Sequence, residues 1–178
     1  MSVYYTRQML RDIAANVVKK YETRDPFNLC EASGIHIYRR ADFGKILGMY
    51  SNRQRRRCVF INDRLSDENK VMPCGHEFSH DTLHRDLAKD FDFTDVNFFV
   101  RNRTEYEANL LFAHIQLDTE TILELAAEGY DLNQIVSIMN TLDELMQIKL
   151  EDMNQCGLPV RALYIPQMDF WKRIELLK

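Results

Sequence analysis

The sequence lacks the features that mark membrane and secreted proteins. No apolar run is long enough to cross a bilayer, and the first residues have no apolar core of the kind found in a secretion signal. The four cysteines, Cys30, Cys58, Cys74 and Cys156, are scattered and form no CxxC pair. This usage predicts a reduced, cytoplasmic protein with no membrane partner.

The sequence also has no excess of positive charge, no internal repeat and no low-complexity segment. The net charge of -4 argues against direct binding of nucleic acid, because phosphate contacts normally need a basic surface. With 46% hydrophobic and 28% charged residues, the 178-residue chain has the composition of a packed globular protein rather than a disordered one. Its length fits one domain, or one domain with a small appended part.

Hydrophobic periodicity divides the chain into a mixed first half and a helical second half. Three strands are predicted, at residues 35–39, 46–50 and 58–62, the last two joined across residues 51–53. Helices are predicted at residues 6–22, 26–32, 66–87, 105–117 and 119–128, with one or two more within 132–154. The predicted fold class is therefore α+β, with a small antiparallel three-stranded sheet packed on a mainly helical body and a helical C-terminal extension.

The segment His76-Glu77-Phe78-Ser79-His80 has the HExxH spacing of a metal site. Histidines four residues apart on a helix share one face, so that both imidazoles can bind one ion. Glu77 projects beside that face, where a carboxylate can accept a proton from water without becoming a ligand. Two imidazoles and one oxygen ligand suit Zn²⁺ and leave a fourth position for water or substrate.

The third ligand cannot be read from the motif itself. His84 lies one further turn along the same helix, and three residues at such steps span about 12 Å, too far for one ion. A carboxylate from the helix that begins near Glu105 is the better candidate, and spacing alone leaves Glu105 and Glu107 open. Asn109 on that helix, like His84, is expected to orient a ligand or contact the substrate.

Several segments together resemble the ImmA/IrrE family of metallopeptidases. They are Asp25-Pro26-Phe27 with Gly34-Ile35-His36-Ile37, then Gly48-Met49-Tyr50 with Val59-Phe60-Ile61-Asn62, the His76–His80 motif with His84, and Glu107-Ala108-Asn109 with Phe112-Ala113. The resemblance implies a zincin-like metallopeptidase domain over residues 1–117. A helical extension, residues 118–178, is expected to pack on the same body.

The same resemblance implies specific roles. His76, His80 and Glu107 are expected to bind Zn²⁺, with Glu77 as the catalytic base. The expected activity is that of an endopeptidase acting on a protein, namely a helix-turn-helix transcriptional repressor, as an antirepressor of a mobile element or a stress regulon. Phe78-Ser79 departs from the usual Leu-Gly of the family's motif, and residues 114–118 lack its usual Leu-Met-Pro ending.

Two other functions fit parts of the sequence. The basic run Arg53-Gln54-Arg55-Arg56-Arg57 and the segment 131–140 would suit a DNA-binding regulator. Acidic residues in and after the second segment make a poor surface for phosphates, namely Asp131, Asp143, Glu144, Glu151 and Asp152. A non-catalytic repressor-binding protein that retains a metal site is the other alternative. The apolar, methionine-containing stripe of residues 117–154 would suit its adaptable contact surface, although such a stripe more often belongs to the core.

Overall fold

The computed structural model describes residues 5–54, 56–86, 93–95, 103–158 and 160. The described residues form seven helices and four strands, in the order α1 (Arg7–Tyr21), α2 (Pro26–Ala32), β1 (His36–Arg40), β2 (Gly48–Arg53), β3 (Arg56–Asn62), α3 (Asp67–Leu83), β4 (Phe93–Asp95), α4 (Arg103–Gln116), α5 (Thr119–Ala127), α6 (Leu132–Ile138) and α7 (Asp143–Gln155). This confirms the predicted α+β class with a helical C-terminal part. The chain divides into two compact units, Met1–Asp118 and Thr119–Lys178.

Side-chain caps define where the helices of the first unit begin. Thr6, Asp25 and Ser66 each accept a hydrogen bond from the backbone N–H three residues later, at the starts of α1, α2 and α3. In α2 the cap is followed by Pro26, whose fixed φ suits the first helical position. The predicted helices start close to these caps because capping chemistry is local and visible in the sequence.

The sheet differs from the predicted three antiparallel strands. Its order is β1-β3-β2-β4, and β1 pairs with β3 in parallel, whereas β2 is antiparallel to both β3 and β4. The strands β2 and β3 form a hairpin that turns at Gln54 (φ 51°), so residues 51–53 belong to the strand and not to the turn. The antiparallel pairing of the last two predicted strands is thus confirmed, and the all-antiparallel sheet was wrong.

The parallel pair has a simple structural cause. The strands β1 and β2 run in opposite directions on either side of β3, so residues 41–47 only need to cross one end of β3 to connect them. Asn62, at the end of β3, donates to the carbonyl oxygens of Gly44 and Ile46 (3.2 and 2.8 Å) and holds this crossing in place. A strand pattern alone gives no information on which strands become neighbours.

A buried carboxylate fastens the sheet to α3. The Asp81 side chain is 2% exposed; its Oδ1 accepts from the Tyr50 hydroxyl on β2 (2.6 Å), and its Oδ2 accepts from Arg57 on β3 (2.9 Å) and from Arg85 (2.8 Å). Burial and the hydrogen bond to Asp81 raise the pKa of Tyr50. Because a buried carboxylate is stable only when it is fully paired, this cluster fixes the register of α3 over the sheet.

The helices α3 and α4 approach closely at a glycine. A Cβ atom added to Gly75 would lie 1.9 Å from Cε2 of Phe112, whose side chain is completely buried. The space beside Gly75 is therefore filled by the Phe112 ring. Ala108, one turn earlier on α4, is also fully buried. This packing brings the inward face of α4 against the histidine face of α3.

The helix α3 ends earlier than predicted. It stops at Leu83, and His84 follows as the C-cap with φ -121° and ψ 19°. Leu87, the predicted end, lies outside the described residues. The departure of His84 from helical geometry matters for the site, because its side chain does not continue the straight line of the helix.

The described part of the second unit consists of three helices joined by short turns. The helix α6 begins with a capping box in which Asp131 and Gln134 each bond the other's backbone N–H (2.9 Å both). Its neighbour α7 has the apolar residues Leu145, Met146, Leu150 and Met153 buried. None of the helices within the described ranges combines the length and apolarity required to cross a membrane. The predicted packing of an extension on the first unit stays a prediction.

We expect Gly75→Ala to destabilise the protein, because overpacking a filled core costs about 1–3 kcal/mol. This loss should exceed the roughly 1 kcal/mol that alanine gains over glycine in a helix. Urea unfolding of the single variants Gly75→Ala and Phe112→Leu and of the double variant would show it. Leucine at position 112 is smaller than phenylalanine and should relieve the clash with the new methyl group. The double variant should therefore be more stable than additivity predicts. Strict additivity would contradict the proposed contact.

Candidate metal centre

His76 and His80 point from one face of α3 into the interior. Both are completely buried, and their Nε2 atoms are 2.9 Å apart, with the two rings nearly perpendicular (80°). The one-turn spacing on a regular helix produces this arrangement. The structure therefore brings together the two histidines that the motif predicts.

Glu105, near the start of α4, supplies the carboxylate that faces these two histidines. Its Oε2 lies 3.0 Å from Nε2 of His76 and 3.4 Å from Nε2 of His80. The three residues offer one donor atom each, all within 4.8 Å of one another. Spacing had left Glu105 and Glu107 open, and the geometry favours Glu105.

Glu107, which the resemblance implies as the third ligand, does not join this cluster. Two residues along a helix correspond to a rotation of about 200°, so Glu105 and Glu107 cannot present their side chains to the same point. The Glu107 carboxylate instead accepts from Nε of Arg103 (2.9 Å) and lies 3.2 Å from Nε2 of His84. The structure thus places Glu105, and not Glu107, against the Nε2 atoms of His76 and His80.

Asn109 and His84 contact the Nδ1 atoms of His76 and His80, whose Nε2 atoms face the cluster. Oδ1 of Asn109 lies 2.8 Å from Nδ1 of His76, and Nδ1 of His84 lies 3.1 Å from Nδ1 of His80. Asn109 follows Glu105 by one helical turn and therefore shares its face of α4. Both residues expected to orient ligands thus touch a histidine of the cluster. No motif in the sequence points to Tyr5, whose ring lies edge-on to that of His84 with the ring centroids 6.2 Å apart.

Glu77 is fully buried next to β2. A Cβ atom added to Gly48 would lie only 2.8 Å from Oε1 of Glu77 and 3.1 Å from its Cγ. Gly48 thus leaves the space that the Glu77 carboxylate needs. The hydroxyl of Tyr50, two residues further along β2, donates a hydrogen bond to Asp81 on α3. This hydrogen bond holds β2 close to the helix that carries Glu77.

The electrostatics of the cluster favour neutral imidazoles and a charged carboxylate. Burial lowers the pKa of His80 to about 4 and also lowers the pKa of His84. Burial acts to raise the pKa of Glu105, but the close contacts of its carboxylate with the His76 and His80 imidazoles outweigh it and leave that pKa below its usual value. Neutral imidazoles and ionised carboxylates are the forms that bind metals.

The geometry and the donor chemistry both fit a divalent cation. Tetrahedral coordination with metal–ligand bonds of 2.0–2.1 Å separates neighbouring ligand atoms by about 3.3 Å. The observed separations of 2.9, 3.0 and 3.4 Å bracket this value. Two imidazole nitrogens and a carboxylate oxygen are the donors that Zn²⁺ commonly takes, with a fourth position left for water.

The departures from the family's usual motif are accommodated within α3. The Ser79 hydroxyl donates to the carbonyl oxygen of Gly75 (2.9 Å), and Phe78 is 2% exposed. The extra hydroxyl is therefore satisfied along the helix, and the larger side chain lies in the core. Neither residue takes part in the cluster of His76, His80 and Glu105.

Comparisons with known proteins agree with this geometry. Residues 30–151 match the family model of the M78 peptidases, described as the IrrE N-terminal-like domain. The chain is 23% identical over 141 residues to "Uncharacterized immunity region protein 2" of Bacillus phage phi105, covering 79% of this chain and 89% of the phage protein. It is 22% identical over 157 residues to "Metallopeptidase ImmA" of Bacillus subtilis (strain 168), covering 86% and 90%. No solved structure shows significant similarity. Because the family model matches more than half of the chain, the protein belongs to the M78 peptidase family, that of the IrrE N-terminal-like domain.

Proposed function

We propose that the protein is a zinc-dependent endopeptidase that cleaves a helix-turn-helix transcriptional repressor. The observation that carries the proposal is the convergence of His76, His80 and Glu105 on one point, with the Glu77 carboxylate on the same helix. Its membership of the M78 family and its similarity to a metallopeptidase support peptide hydrolysis as the reaction.

His76, His80 and Glu105 would hold the ion. When bound, a divalent cation supplies Lewis-acid polarisation of the scissile carbonyl and lowers the pKa of water. Glu77 accepts one proton from the attacking water as its oxygen bonds to the carbonyl carbon, and then delivers that proton to the leaving nitrogen as the C–N bond breaks. The products are a carboxylic acid and an amine, so water is the only co-reactant. Gly48 keeps space for the Glu77 carboxylate.

The proposed substrate class rests on relationship rather than on geometry. The phage relative is named for an immunity region, and the bacterial relative is named a metallopeptidase. The ImmA/IrrE resemblance implies antirepressors that act on repressors encoded beside them. We therefore expect the substrate to be the helix-turn-helix repressor whose gene lies nearest to this one, and the site of action to be the cytoplasm.

Metal binding can be tested without any substrate. We expect the metal-free protein to bind one Zn²⁺ per chain and to gain about 2.7 kcal/mol of stability at a free concentration one hundred times the dissociation constant. Glu105→Gln should weaken binding by more than the roughly 10- to 100-fold that is typical of residues outside the coordination shell. Competition with a chromophoric chelator measures both affinities, and Glu120→Gln, on a helix of the second unit, is the control. Unchanged affinity in Glu105→Gln would remove Glu105 from the site.

Cleavage is tested with the zinc-loaded protein and its neighbouring repressor. We expect fragments by mass spectrometry, and none from Glu77→Gln, since an amide cannot accept the proton of the attacking water. The variant should still hold one zinc per chain, because Glu77 is not a ligand. Turnover by a zinc-loaded Glu77→Gln enzyme would refute the assignment of the base. Stable binding of the intact repressor by the unmutated enzyme would instead favour the non-catalytic alternative.

Gly48→Ala tests whether space beside Glu77 is required. Its Cβ would displace the Glu77 carboxylate, and a shift of about 1 Å in a catalytic group can lower the rate on the order of 100-fold. We expect kcat to fall while zinc affinity stays within about twofold, because no ligand is touched. Ser51→Ala, on the same strand, is the matched control. Equal losses in the two variants would indicate general damage to the strand.

A further inference from the structure

The buried contacts of Glu107 lead to His80 through His84. Oε2 of Glu107 lies 3.2 Å from Nε2 of His84, and Nδ1 of His84 lies 3.1 Å from Nδ1 of His80. The side chains of Glu107 and His84 are 4% and 3% exposed, and that of His80 is completely buried. These contacts are therefore shielded from bulk water. Hydrogen bonds are stronger in such a buried environment than in water, so they hold the side chains firmly.

Donor and acceptor chemistry decides which atom donates in each hydrogen bond between His80, His84 and Glu107. A carboxylate can only accept, so the proton between Glu107 and His84 belongs to Nε2 of His84. A neutral His84 then has a lone pair on Nδ1, and the proton between the two rings must belong to Nδ1 of His80. The Nε2 atom of His80, which faces His76 and Glu105, is left with its lone pair directed into the cluster.

Glu107 is itself held from two parts of the chain. Its Oε1 accepts from Nε of Arg103 on α4 (2.9 Å) and from the backbone N–H of Tyr5 (3.2 Å). The Tyr5 hydroxyl donates to the carbonyl oxygen of Leu83, immediately before His84 (3.0 Å). The start of the chain and the first turn of α4 thus clamp the carboxylate and the end of α3 together.

We propose that Glu107 and His84 act as positioning residues that fix the ring and the tautomer of His80, so that its Nε2 lone pair is presented to the metal. Asn109 does the same for His76 by accepting its Nδ1–H (2.8 Å). Both ligand histidines are then held as Nδ1–H tautomers, and three electron-pair donors meet at one point. This inference rests on the proposed zinc site and assigns Glu107 a role next to it rather than in it.

The tautomer can be measured in the metal-free protein by ¹⁵N NMR of the imidazole nitrogens. We expect His80 to carry its proton on Nδ1 in the native chain, and this preference to disappear in His84→Phe, which has no acceptor. His84→Gln, whose amide oxygen can accept the Nδ1–H, should restore part of it. Thr82→Ala, two residues away on α3 with its hydroxyl bonded to Phe78 O, is the matched control.

Zinc affinity is the second readout, and it separates this inference from the proposed function. We expect His84→Phe and Glu107→Gln to keep one zinc per chain with affinity about 10- to 100-fold weaker, and His84→Gln to lie between them and the native protein. Should Glu107→Gln lose zinc as completely as Glu105→Gln, Glu107 would be a ligand and the inference is overturned. An Nε2–H tautomer of His80 in the native protein, or an unchanged tautomer and affinity in His84→Phe, would overturn it too.

A failure of the enzymatic proposal would look different. The protein would then bind no zinc, but His80 would still be the Nδ1–H tautomer, and this preference would still depend on His84. Such a result would support the contacts of Glu107, His84 and His80 and would refute the proposed zinc site. Thermal unfolding of each metal-free variant identifies any that fails to fold. If His84→Phe is such a variant, Glu107→Gln and His84→Gln carry the test by the same two readouts.

Discussion

The close contact of α3 with α4 is the constraint on which the site depends. Metal ligation needs side-chain atoms from both helices about 3 Å apart, and two helices pack closely enough for this where a small residue leaves room between them. Gly75 provides this space immediately before His76, and the ring of Phe112 occupies it. Because Glu105, Asn109 and Phe112 lie on successive turns of α4, the packing of one ring against one glycine aligns both polar residues with His76.

The cluster also shows why a buried polar network can be tolerated in the core. In the proposed Nδ1–H tautomers of His76 and His80, the Nε2 lone pairs and the Glu105 carboxylate face one another at 2.9–3.4 Å and repel each other unless a positive charge lies among them. In that state His76 and His80 donate hydrogen bonds from Nδ1 to Asn109 and His84, which turns their Nε2 atoms towards Glu105. Binding a cation would offset the cost of holding these groups together and would couple metal affinity to folding.

The sequence predicted those parts of the molecule that depend on local chemistry. The starts of α1, α2 and α3 follow from the caps Thr6, Asp25 and Ser66, and the histidine pair follows from helical spacing. The order of the strands could not be predicted in this way. The connection between β1 and β2 crosses one end of β3, which makes β1 and β3 neighbours. The tertiary path of the chain decides such pairings, and no residue pattern within a single strand records it.

The choice between Glu105 and Glu107 shows both the limit of motif matching and a signal that could have resolved it. Asn109 was expected to orient a ligand, and the residue that shares its helix face one turn earlier is Glu105. Glu107 shares its face with Arg103 instead, and a carboxylate paired with arginine is poorly suited to donate to a cation. Two acidic residues within three positions can therefore have complementary roles, one next to the metal position and one behind a histidine. Helix phase separates these roles, since a shift of two residues turns a side chain to the opposite side of the helix.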